Sequence, residues 1–138
     1  MKRWMVAVLV TLSLVLGAGT QVFASDVSEK VKAANERAAQ DYLKEGLLQA
    51  GEGRDDQAAR AFRQALSLKP EWAEAHSLLG SALARSGNYV EAEAELRKAV
   101  KLKPDYAEGW NFLGDFLKER GKTQEAQEAF RKAQQYAR

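Results

Sequence analysis

Residues 73–106 read AEAHSLLGSALARSGNYVEAEAELRKAVKLKPDY, and residues 107–138 run on as AEGWNFLGDFLKERGKTQEAQEAFRKAQQYAR with the same spacing of small and apolar positions. The interval is 34 residues. It places Gly46, Gly80 and Gly114 in one column and Gly53, Gly87 and Gly121 in another. Further columns are Ala58/Ala92/Ala126, Phe62/Leu96/Phe130 and Ala65/Ala99/Ala133, and Pro70 and Pro104 stand the same distance apart. A fixed period of this length marks a stacked repeat architecture, and it takes precedence over local readings of single segments.

Within 73–106, apolar residues at Ala75, Leu78, Leu79, Ala82 and Leu83 recur at three- and four-residue steps, which is helical periodicity. Gly87 ends that helix, because glycine enters the left-handed conformation without steric cost. Asn88 followed by Glu91 is a helix start signal. The second helix runs through Ala92, Leu96, Ala99 and Val100, and Pro104, which has no N–H to donate, closes it. Gly80 and Ala92 lack bulk, so the spacing predicts two antiparallel helices in close approach, with Leu79, Leu83 and Leu96 around the contact. One such pair cannot bury its apolar face, so three must stack. The expected fold is all-α, a superhelix of three helix-turn-helix units.

These residues resemble the tetratricopeptide repeat (TPR) family. Its pattern of an aromatic, Leu-Gly, a large residue, Ala, a large apolar residue, Ala and Pro is met by His76, Leu79, Gly80, Leu83, Ala92, Leu96, Ala99 and Pro104. The third copy supplies Trp110, Leu113, Gly114, Leu117, Ala126, Phe130 and Ala133. In the first copy Tyr42, Gly46, Ala58, Phe62, Ala65 and Pro70 fit, but Glu45 and Gln49 stand where leucine and a large residue belong. That departure leaves the packing of the first pair open, but not its existence. The resemblance covers residues 39–138, divided as 39–72, 73–106 and 107–138. Residues 25–38, with Asp26 and Glu29 as a capping box, read as a backward extension of the first helix that shields one end of the stack, the alternative being a flexible leader.

Residues 1–24 follow a different logic. Lys2 and Arg3 precede an uncharged stretch from Trp4 to Ala24 whose most apolar part is Met5–Leu16, and Val22-Phe23-Ala24 is a small-residue cleavage pattern. Positive start, short apolar middle and small-residue end describe a secretory signal peptide, with cleavage expected after Ala24. The alternative is an uncleaved anchor, since a bilayer needs about 20 apolar residues. The first reading makes the protein periplasmic or secreted. The second tethers it to the inner membrane facing the periplasm, and only then does it touch a membrane.

Charge narrows the partners. The net +2 comes entirely from Lys2 and Arg3, and the rest of the chain is balanced, so no nucleic-acid partner is expected. There is no cysteine, hence no disulfide framework. His76, the only histidine, shares a column with Tyr42 and Trp110 and reads as a packed residue, not a ligand or catalyst. Glu91, Glu93 and Glu95 read as solvated surface, and no glycine run cradles a phosphate. No catalytic, cofactor-binding or metal-binding residue is expected, and the protein is not expected to be an enzyme.

What remains is a surface for another protein. The family resemblance implies that the first helix of each pair lines the concave side. There it exposes Leu43 and Leu47, then Ser77 and Ser81, then Asn111 and Asp115, flanked by Lys44, Arg85 and Lys118. The same resemblance implies that a lysine–asparagine clamp for terminal carboxylates, used by one subclass, is replaced here by Leu43 and Leu47. Leu66 and Val100 face a following pair, whereas Gln134 in their column is polar and makes the last helix its own cap. A monomer is expected, with weak self-association through Tyr136 as the exception. The functional expectation is an exported scaffold or adaptor in envelope complex assembly. The rivals are a self-assembling structural protein and a non-catalytic accessory subunit of an envelope enzyme.

Overall fold

The computed structural model describes the backbone of residues 2–137 and the side chains of residues 23–137. It contains six helices: α1 (Lys2–Gly51), α2 (Asp55–Leu68), α3 (Ala73–Arg85), α4 (Tyr89–Leu102), α5 (Ala107–Glu119) and α6 (Thr123–Tyr136). Among the described residues there is no strand, and the all-α expectation holds. The expected targeting segment falls almost wholly outside the described side chains. Among the described residues no helix is long and apolar enough to cross a membrane.

The chain divides between Asn35 and Glu36 into two units. In the first, α1 passes through residues 25–35 without a break, so Asp26 does not cap a helix there. Its carboxylate meets Lys30 one turn on, at 2.9 Å. Phe23, Val27 and Val31 lie exposed along this stretch.

In the second unit the turn after each first helix is built the same way. Gly87 has φ of 87°, its N–H reaches Ala84 O at 3.1 Å, and the Asn88 N–H reaches Leu83 O at 2.8 Å. This double bond is a Schellman motif, which requires a left-handed residue where glycine stands. The pattern recurs as Gly53 to Ala50 with Arg54 to Gln49, and as Gly121 to Lys118 with Lys122 to Leu117. The second helix therefore starts where the sequence places it, but by a different device. Asn88 makes no side-chain cap and its Nδ2 donates to Ser86 Oγ instead.

Close approach within each pair runs through the first glycine column. A Cβ on Gly80 would lie 2.6 Å from Leu96 Cγ, and one on Gly114 would lie 2.6 Å from Phe130 Cε1. One on Gly46 would enter the Phe62 ring, so the first pair makes the same close approach as the others. The reason lies in direction. Leu79 borders a cleft with Arg63 and Leu66 of α2, and Leu113 and Leu117 border one with Arg97 of α4, so this column faces the preceding pair. Asp41, Glu45 and Gln49 occupy the positions of Ala75/Gly109, Leu79/Leu113 and Leu83/Leu117, on a face that no helix pair precedes among the described residues. Polar residues belong there, and Gln49 hydrogen-bonds both Glu45 and Arg54.

The buried core threads all three pairs, from Ala58 and Phe62 through Leu79, Leu83 and Leu96 to Leu113, Leu117 and Ala129. Burying one such leucine fully contributes roughly 1.5–3 kcal/mol. α3 packs directly on α5, whereas α2 and α4, and α4 and α6, make no comparable contact, so the first helices line the inside of the stack. Outside, long side chains span the gaps. Arg63–Glu91 at 2.6 Å joins α2 to α4, and the same pair one repeat later, Arg97–Glu125 at 2.5 Å, joins α4 to α6.

Candidate functional site

His76 shows how a column can be preserved in role while its residue changes. Its Nε2 hydrogen-bonds the Pro70 carbonyl at 2.8 Å, as Trp110 Nε1 does the Pro104 carbonyl at 2.8 Å. The other ring nitrogen faces Glu95 Oε2 at 2.5 Å. The ring is almost fully buried and ties α3 to α4 and to the preceding turn. Its contacts are those of a structural residue. Among the described residues no group of three or more His, Asp or Glu could hold a metal ion.

The inner face is where the expected partner residues lie, and they do not share one environment. Ser81 and Asp115 come together in a groove of about 210 Å³ between α3 and α5. Leu96 and Phe116 form its buried floor, and Phe112, Arg85 and Glu119 complete its walls. Asn111 is exposed on the same helix as Asp115. On α1, Leu47 is 46% exposed, while Leu43 is half-buried against the core.

Ser77 departs from the expectation. It is fully buried, its hydroxyl donates to Glu74 O at 2.9 Å, and Tyr106 Oη stands 3.4 Å away. A side chain with no accessible surface cannot touch a partner, so this position belongs to the packing between α3 and the turn before α5. Burial also pushes the Tyr106 phenol above its ordinary 10.0. Helical periodicity puts Ser77 on the same face as Ser81 but says nothing of the tyrosine that covers it.

Sequence reasoning missed Phe112 and Glu119. Glu119 was reachable, since Arg85 occupies the same column one repeat earlier and was expected to flank the face. Phe112 gave no signal, because its column holds Lys44 and Leu78, one polar and one apolar. The charges in the groove are unequal in standing. Arg85 Nε bonds Asp55 Oδ1 at 2.6 Å, whereas Asp115 and Glu119 have no ion pair among the described residues. On the outer side, a wider cleft of about 790 Å³ is bordered by Glu71, Ala94, Arg97, Lys98 and Lys101.

The tetratricopeptide repeat sequence profile matches residues 43–107 and 91–138. Among solved structures the chain is similar to MamA at 27% identity and a TM-score of 0.67, over 78% of this chain and 63% of that one. It therefore spans under two thirds of the MamA chain. The Sgt2 TPR domain from Aspergillus fumigatus is similar at 23% identity and a TM-score of 0.69, covering 72% and 66% of the two chains. The first TPR of Spaghetti (RPAP3), solved bound to the HSP90 peptide SRMEEVD, aligns at 19% identity and a TM-score of 0.70, covering 73% and 82%. These last two likenesses are of fold. No curated protein sequence is detectably similar to the chain.

Proposed function

The chain belongs to the tetratricopeptide repeat family, and from that premise we propose that it is an exported scaffold whose inner helix face holds a segment of a partner protein. The family is generally a non-catalytic protein-interaction fold, and the similar domain of Spaghetti binds a peptide. The observation that carries the reading to this chain is the groove between α3 and α5. There an apolar floor of Leu96 and Phe116 is rimmed by the polar side chains of Ser81 and Asp115. A preformed groove on rigid helices leaves the ordering cost of binding mainly to the partner.

Export rests on the sequence of residues 1–24, and the setting we propose is assembly of an envelope complex by a monomer without catalytic residues of its own. Self-assembly by end-to-end stacking is the weaker reading, because both end faces carry polar residues where the inner columns are apolar. These are Glu45 and Gln49 at one end and Gln134 at the other.

Photo-crosslinkers at Ser81 and Asn111 in cell envelopes are expected to capture a partner, and one at Glu93 on the outer side is not. Capture from Glu93 alone would discard the inner groove. N-terminal sequencing of the exported chain is expected to begin at Ser25.

A further inference from the structure

We infer that the segment held on the inner face carries an aliphatic side chain and, about six residues along, one or two cationic side chains. This rests on the groove reading above and specifies what the groove selects.

At the α1 end the face offers Leu47, about half exposed, beside half-buried Leu43, with no charge in either position. At the α5 end it offers Asp115 and Glu119, one helical turn apart on the wall of the groove. Among the described residues neither carboxylate has an ion pair, with Lys118, between them in sequence, or with any other cation. The one cation in the groove, Arg85, is already matched by Asp55 at 2.6 Å. The groove therefore carries two uncompensated negative charges, although residues 36–138 hold equal numbers of acidic and basic residues. The apolar floor of Leu96 and Phe116, with Phe112 in the wall, displaces water beside these carboxylates and strengthens their attraction for a cation. A terminal carboxylate placed there would meet like charge.

Spacing follows from the stack. Packed helices lie about 8–10 Å apart, so two steps, from α1 past α3 to α5, cover roughly 20 Å. An extended chain advances about 3.3 Å per residue, which separates the aliphatic and cationic side chains by about six residues.

The test passes a library of end-blocked nonapeptides, each with one fixed leucine and all other positions random, over the immobilised full chain. Retained peptides are expected to be enriched about fivefold in Lys and Arg over Asp and Glu five to seven residues from the leucine, the gain of two partly exposed ion pairs. The double variant Asp115→Lys/Glu119→Lys is expected to reverse that preference, and Leu47→Ser to weaken selection for leucine while leaving charge selection intact. Equal retention of cationic and anionic peptides, preference for anionic ones, or cation selection that survives the double variant would each overturn the inference and leave the groove reading standing. Failure to retain any peptide overturns both. Sedimentation of the chain alone as a dimer that the retained peptides dissolve would put a second copy in the groove, and would also overturn it.

Discussion

At the scale of single residues, the tightest constraints are glycines whose missing side chain is occupied by a neighbour. Alanine at position 80 would gain roughly 0.5–1 kcal/mol in helix propensity. Its Cβ would stand 2.6 Å from Leu96 Cγ and 3.1 Å from the Ala92 carbonyl oxygen. Overpacking of that kind costs about 1–3 kcal/mol. Gly80→Ala is therefore expected to lower stability by about 1–2 kcal/mol net in urea unfolding, and a stabilised variant would refute the close approach. His76 makes a second residue-scale case. His76→Phe keeps a ring of similar size but leaves the Pro70 carbonyl and Glu95 without their partner. Loss of buried hydrogen bonds in this way costs about 1–3 kcal/mol. A loss below about 0.3 kcal/mol would mean that water takes over both contacts.

At the scale of elements, the second helices are joined by charge and not by apolar packing. Each pair is about half exposed, and such pairs contribute roughly 0.2–1 kcal/mol at most, so their effect is more on register than on stability. Glu93 is the best connected, with Lys122, the residue just before α6, at 2.9 Å and Arg97 at 2.8 Å on its own helix. The Lys122 hydrogen bond, reinforced by Arg97 and opposed by partial burial, holds the Glu93 carboxyl below its ordinary 4.5. A carboxyl depressed in the folded state stabilises above its unfolded value and loses that contribution as pH falls through its folded value. The Tm of the unaltered chain should thus exceed that of Glu93→Gln at pH 7, and the gap should close as the pH falls through the depressed folded value of the Glu93 carboxyl. A gap independent of pH would show that the effect of Glu93 is not electrostatic.

For the whole molecule, the polarity of the outward faces of the three described repeats bears on whether a second copy can stack on them. Asp41, Glu45 and Gln49 make one end face polar where the inner repeats present Ala75, Leu79 and Leu83. Changing Glu45→Leu and Gln49→Leu together is expected to turn that face into an apolar docking surface. Sedimentation is then expected to show concentration-dependent dimers for the variant and none for the unaltered chain. A strictly monomeric variant would mean that the polar residues at this end do not prevent stacking.

The 34-residue period, the helix pairs and the turn glycines were readable in the sequence because each depends on local geometry: a left-handed residue at 53, 87 and 121, and absent bulk at 46, 80 and 114. Of the face residues that the family resemblance implied, Leu47, Asn111 and Asp115 are exposed and Ser81 is partly so. What depended on contacts between repeats was not readable. The sequence alone makes Glu45 and Gln49 look like defects, and only the stack shows that they look outward. It likewise makes Ser77 look available, and only the fold lays Tyr106 across it. Periodicity determined which way each side chain points, but whether anything stands in front of it was decided by residues about 30 positions away, brought there by tertiary packing.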